Sequence, residues 1–228
     1  MRVLIAITSL CSVLTLPANL IAGTIKGTIQ ASRPASDESS SGGAYQSRKY
    51  KFLEQIDYDS LGDFVVSIDE VEHPATEASG RPKASVVQRD GSFFPHITPI
   101  VAGSEIEWPN RDDIYHNVFS MSDVKPFDLG MYKSSDDAKS LVFEKTGKID
   151  VFCAIHSQMH CVVLVLPNPW FSKSDRKGRF EIPDVPPGKY RLKAWHERLP
   201  SKFIDIEVPA EGEIEIDIEM GFADLPKI

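Results

Sequence analysis

The chain has 228 residues, 25% of them charged and 42% hydrophobic, with a formal net charge of −8. That length accommodates one large domain or two of about 100 residues, each able to bury a core. The acidic balance argues against nucleic acid or anionic lipid as a partner and is compatible with a basic protein partner or with simple solubility. Three cysteines are too few for a disulfide scaffold, so packing must hold the fold together.

The chain begins MRVLIAITSLCSVLTLPANLIAG, with a positive Arg2, an apolar run from Val3 to Leu16, and a small-residue end from Pro17 to Ala22. This pattern predicts a secretory signal peptide over residues 1–22 and a periplasmic or secreted mature protein. The apolar run is too short for a membrane span and no second one follows, so no transmembrane segment is expected. Cleavage removes Arg2 and Cys11, leaving Cys153 and Cys161 and a charge of about −9.

GTIKGTIQ and DFVVSI are the first strand candidates. Between them, residues 31–60 include the Ser- and Gly-rich ASRPASDESSSGG and predict a flexible insertion. ASVVQR, GSEIEW, HNVFSM, KSLVFEK, KIDVFC and CVVLVL follow, and then GRFEI, GKYRLKAW, KFIDIEV and EIEIDIEM. Each run is short, alternating or continuously apolar, and bounded by Gly, Pro, Asp, Asn or Ser. No long amphipathic helical period appears, so the fold class is all-β. In EGEIEIDIEM, Ile alternates with Glu or Asp, which places one face in the core and the other in water.

The densest chemistry is VFCAIHSQMHC, residues 151–161. Cys153-x-x-His156-x-x-Met159 lies between two strand candidates, and His116 in EWPNRDDIYHNVFSM is a fourth candidate ligand. An electron-transfer copper site needs two imidazole nitrogens and a thiolate in a rough trigonal plane with a weak axial thioether. Three alternatives stand beside it. A Cys153–Cys161 disulfide across antiparallel strands would leave His116, His156 and Met159 idle. Structural zinc rarely takes a thioether. A catalytic thiol needs a base and an oxyanion site, for which nothing nearby argues. Met121 competes for the axial position by composition alone.

On these residues the chain resembles the cupredoxins, with a short ligand loop of the amicyanin and pseudoazurin type. The upstream ITPIVAGSEIEWPNRDDIYHNVFS is similar to that family's strand, glycine turn, Trp-x-Asn and first-ligand His-Asn. FDLGMY (127–132) is similar to a segment of cupredoxin-domain proteins labelled for methylamine utilisation. The resemblance implies a Greek-key β-sandwich over residues 71–167 holding one mononuclear type 1 copper ion on His116, Cys153, His156 and axial Met159. It also implies that Asn117 hydrogen-bonds across to clasp the cysteine loop.

Other residues carry smaller expectations. Cys161 opens an apolar run and reads as a buried, inert thiol. His160 is expected to face solvent, with a second-metal role as the alternative; His96 is expected to be an ordinary turn histidine, with approach to the copper end of the sandwich as the alternative; and His73 is in a loop. Phe119, Phe127 and Phe152 read as core, and Trp195 as a packing or interface aromatic. Asp112, Asp113 and Asp123 form either an acidic docking rim or a solvated loop.

Downstream, Asp175-x-x-Gly178-x-Phe180-x-Ile182 and Val185-Pro-Pro-Gly188-x-Tyr190-x-Leu192 resemble the carboxypeptidase-regulatory-like, transthyretin-like β-sandwich. DRKG and PPG are its turns, with Phe180 and Ile182 alternating inward. Since GTIKGTI and DFVVSI supply its opening strands, residues 23–70 and 168–228 are expected to form one smaller sandwich interrupted by the copper domain. A cupredoxin followed by a separate small β-unit is the simpler alternative.

The functional expectation is a periplasmic one-electron carrier, not an enzyme; the resemblance to methylamine-utilisation-labelled proteins implies a redox protein partner such as a c-type cytochrome or an amine dehydrogenase. A multicopper enzyme needs further histidine clusters, and the sequence offers no His-x-His pair. Copper handling, or an interaction module with a structural metal, are the other readings.

Overall fold

The computed structural model describes residues 22–33, 57–69, 71 and 82–222. The expected signal peptide before Ala22, most of the 31–60 insertion and His73 lie outside those residues. Among them no helix is long and apolar enough to cross a membrane.

The regular elements are strands. β1 (Gly23–Ala31) and β2 (Val65–Ile68) come first. A central block follows: β3 (Lys83–Ser85), β4 (Val87–Arg89), β5 (Ser92–Phe94), β6 (Ile97–Val101), β7 (Ser104–Trp108) and β8 (His116–Ser120). It continues through β9 (Phe127–Tyr132), β10 (Lys139–Phe143), β11 (Gly147–Phe152) and β12 (His160–Leu166). The last five are β13 (Phe171–Lys173), β14 (Arg179–Val185), β15 (Gly188–His196), β16 (Leu199–Val208) and β17 (Glu213–Met220).

The central block is a two-sheet sandwich, with sheet orders β10-β7-β3 and β6-β12-β11-β8-β9, and β4-β5 as a hairpin beside them. In β7, Ser104, Ile106 and Trp108 are buried while Glu105 and Glu107 face outward, the period-two pattern of a strand with one wet face. Ile106, Trp108, Val118, Phe143, Ile149, Val151 and Val163 meet in the core between the sheets.

β12 is different, being buried at every residue after His160. Cys161, Val163 and Val165 face the sandwich core. Val162 and Leu164 face the opposite way, joining Leu166, Val65, Ile97, Phe171 and Trp195 in a separate apolar seam. The continuous run CVVLVL therefore reflects a strand covered on both sides.

That seam joins the central block to a second sandwich, whose sheets are β14-β1-β17 and β13-β2-β15-β16. β1 runs antiparallel to β14 and parallel to β17, pairing Ile25 with both Ile182 and Ile214. β2 runs antiparallel to both β13 and β15. Strands on either side of the central block in sequence thus share the same sheets. They bury Ile25, Phe64, Val66, Ile68, Phe180, Ile182, Leu192 and Ile218 in a core of their own.

The turn before β14 shows why its residues are needed. Asp175 accepts hydrogen bonds from the backbone of Lys177 and Arg179 at 2.8 and 2.9 Å, and Gly178 sits at φ +75°. A Cβ at 178 would stand 2.2 Å from the Ile29 carbonyl oxygen, so only glycine admits this approach of turn and strand.

Candidate metal centre

Three segments converge at one end of the central sandwich. The first follows β7, where Asn110 organises the loop to His116: its amide donates to the Ile114 and Tyr132 carbonyls at 3.1 and 2.9 Å, and its Oδ1 accepts from Asp112 N at 2.8 Å. The second is the β4–β5 turn, whose Asp90 and Gly91 amides donate to the Asp112 carboxylate at 2.8 and 3.0 Å. The third is the loop from β11 to β12. It is closed by Cys153 N donating to Met159 O at 3.3 Å and Met159 N donating to His156 O at 2.9 Å.

These segments bring His116, Cys153 and His156 together, with one potential ligand atom from each within 4.8 Å of the others. His116 Nε2 lies 2.8 Å from Asp112 Oδ2. An ionised carboxylate only accepts, so Nε2 carries the proton and Nδ1 keeps its lone pair. That lone pair faces His156 Nδ1 at 3.1 Å, and Cys153 Sγ lies 3.8 Å from the same His156 nitrogen. Two imidazole nitrogens and a sulfur converging on one point call for a shared proton or a cation. Nitrogens each about 2.0 Å from one ion stand no more than about 4 Å apart, so the set fits a metal.

Burial fits as well. His116 is inaccessible, Met159 and Cys153 are 1% and 5% exposed, and His156 is half-buried. Met159 joins Cys153 in the sandwich core, whereas Met121 is 81% exposed and lies outside it. Burial pushes the Asp112 carboxyl up, but the donors on it from Gly91, His116 and Asp90 outweigh that and hold it below the usual carboxylate range.

Several expectations need correction. Asn117 is buried, yet its amide donates to Asp128 Oδ1 at 2.6 Å, and its own Oδ1 has no hydrogen-bond partner. The hydrogen bonds of the site include no clasp from Asn117 to the cysteine loop; Ala154, after the cysteine, has no side-chain hydroxyl to meet it. Asp112, read as rim or solvated loop, is instead the hydrogen-bond partner of His116. An acid four residues before the candidate ligand, just past a loop-setting Asn, was the available signal. Phe152 is 37% exposed, outside the core, and stacks on the His160 ring at 4.8 Å. His160 and His96, expected in solvent and in an ordinary turn, are half-buried and face each other with ring centroids 5.5 Å apart. Cys153 and Cys161 are both free thiols. Burial, with Asp150 nearby, pushes the Cys161 thiol far up.

Residues 170–216 match polysaccharide lyase family 4, domain II, a different family from the carboxypeptidase-regulatory-like one that the turns there resemble. No curated protein matches the chain. Among solved structures, it is similar to a purple cupredoxin from Nitrosopumilus maritimus, at 22% identity over 36% of this chain and 99% of that one, with a TM-score of 0.33. Amicyanin from Paracoccus versutus is similar at 23% identity over 44% of this chain and 97% of that one, with a TM-score of 0.34. A Cu-containing nitrite reductase from Thermus scotoductus SA-01 is similar at 21% identity over 42% of this chain, with a TM-score of 0.36. In that last case the likeness spans 25% of the reductase chain.

Proposed function

We propose that this protein is an exported type 1 copper protein that carries single electrons between redox partners. His116, Cys153 and His156 would hold the ion, and the Met159 thioether would be a further, weaker donor. When bound, copper supplies a one-electron Cu(I)/Cu(II) couple that this mixed nitrogen and sulfur set accommodates in both states. The observation that carries the reading is the convergence of His116 Nδ1, His156 Nδ1 and Cys153 Sγ, with the protein orienting them in advance.

The chain's own residues have three tasks in this reading. Asp112 fixes the tautomer and ring orientation of His116. The backbone bonds among Cys153, His156 and Met159 restrain the loop, limiting ligand movement. The sandwich core keeps water from His116 and Met159, leaving half-buried His156 as the route to the surface. Ile155 and Tyr115, 50% and 49% exposed, flank the ligands in sequence and offer apolar contact to a partner. No substrate is transformed, so the protein is not an enzyme here, and a c-type cytochrome or an amine dehydrogenase is the partner class.

The test is Cu(II) addition to the purified chain, recorded as a visible absorption spectrum beside Cys153→Ser. An intense thiolate-to-copper charge-transfer band, absent from the variant and recovered after a reduction and reoxidation cycle, is the expected result. Absence of the band would sink the proposal, and release of copper on reduction would favour copper delivery over electron transfer.

A further inference from the structure

A second group of donors lies where the two sandwiches meet. His96 precedes β6, His160 opens β12, and Glu197 sits in the turn between β15 and β16. One imidazole nitrogen from each histidine and one carboxylate oxygen of Glu197 all lie within 4.8 Å of one another. His96 Nε2 is 2.9 and 3.0 Å from the two Glu197 oxygens, across a sequence separation of 101 residues.

Each imidazole is also held from behind. His96 Nδ1 lies 3.2 Å from the His160 carbonyl, to which it donates. That leaves Nε2 as the nitrogen facing Glu197. His160 Nε2 lies 3.0 Å from Asp150 Oδ1, which fixes its proton there, and the Phe152 ring stacks against its face. A ring N–H held by a carbonyl or carboxylate is the outer support that metal-binding histidines use. The Asp150 carboxylate also pairs with Lys148 at 2.9 Å, so its role here is to orient His160.

We propose that His96, His160 and Glu197 bind a divalent transition-metal ion of the zinc class, which fastens the central sandwich to the second one. Two imidazoles and a carboxylate suit borderline cations; calcium or magnesium wants an all-oxygen shell. The set has no thiolate, which distinguishes its chemistry from that of the Cys153 site. Three protein ligands leave a coordination position for water, and the half-buried setting gives the ion an entry path. Glu197 is the only ligand from the second sandwich, so the ion closes the rim of the apolar seam formed by Val65, Ile97, Val162, Leu164 and Trp195. Binding displaces the proton shared between His96 and Glu197 and adds a coordination link where an ion pair stood.

The experiment uses the purified chain carrying Cys153→Ser, which disables the first site and keeps the two proposals separable. Zinc is the probe, with stoichiometry read by equilibrium dialysis and the first shell by X-ray absorption. The expected result is one zinc per chain in a shell of nitrogen and oxygen, lost in both Glu197→Gln and His160→Asn. Zinc should raise the melting temperature of the Cys153→Ser chain and leave that of Glu197→Gln unchanged. Folding of each variant is checked by circular dichroism, and two different variants guard against one that fails to fold. No retained zinc, a sulfur-containing shell, or zinc binding undiminished in both folded variants would each overturn the proposal.

Discussion

Asp112 Oδ2 accepts a hydrogen bond from His116 Nε2 at 2.8 Å, and the same carboxylate is gripped by the amides of Asp90 and Gly91. The β4–β5 turn, the loop after β7 and the first ligand candidate are thereby locked into one unit. The side of His116 that faces Cys153 and His156 is determined by a residue that touches neither.

Asp112→Asn removes the acceptor that selects the His116 tautomer. Copper affinity, read by competition with a chromophoric chelator, is expected to fall about tenfold to a hundredfold. A urea titration of the metal-free variant separates this from lost stability. Unchanged affinity in a folded variant would show that Asp112 does not orient the ligand.

Cys161→Ala and Cys153→Ser should part company. Cys161 is fully buried with a raised thiol pKa, so alkylating reagents should reach it only on unfolding. Its replacement by alanine should keep the copper band and cost about 1 kcal/mol of lost packing. Loss of the band in Cys161→Ala would mean that the wrong cysteine has been assigned.

The two methionines weighed as the sulfur donor, Met159 and Met121, differ by burial. Met159→Ala should cost about 2–5 kcal/mol in denaturant unfolding, as for other large-to-small changes in a core. Met121→Ala, at a side chain 81% exposed, should be nearly silent in both stability and copper spectrum. A copper spectrum altered by Met121→Ala and untouched by Met159→Ala would move the sulfur donor to Met121.

In the second sandwich, Gly178→Ala forces a side chain into a positive-φ turn against the Ile29 carbonyl. A loss of more than about 1 kcal/mol is expected from urea unfolding. Stability equal to that of the parent would mean that the turn relaxes away from β1 without cost.

The Asp175 carboxyl is held down to about 2, first by the Arg179 side chain and then by the Arg179 amide; desolvation opposes them and outweighs the further contribution of the Lys177 amide. Because the folded value lies below the unfolded one, its contribution to stability is fully present above pH 4 and fades as pH falls through about 2. A carboxyl-carbon NMR titration should place its midpoint near that value in the folded protein. A midpoint at the ordinary aspartate value would dissolve the turn network.

The β character was legible because alternation is a local property: SEIEW and EIEIDIEM state which side chains face a core wherever the strand ends up. The spacing Cys153-x-x-His156-x-x-Met159 is equally local, because one loop carries all three. The continuous run CVVLVL was readable as a strand, but not the identity of the two bodies covering its faces. Asn117 shows the limit of reading from resemblance: its neighbours were similar, yet its amide went to Asp128.

By itself, then, the sequence determined an all-β chain, its inward-facing residues and a loop rich in soft ligands, all set by periods and spacings of a few residues. Only the tertiary structure decided that Glu197 meets His96 and His160. Those contacts depend on sheet register and on the packing of two sandwiches, which join residues as far as 101 positions apart. No local pattern encodes such a meeting, because side chains so distant in sequence become neighbours only when the intervening strands have paired.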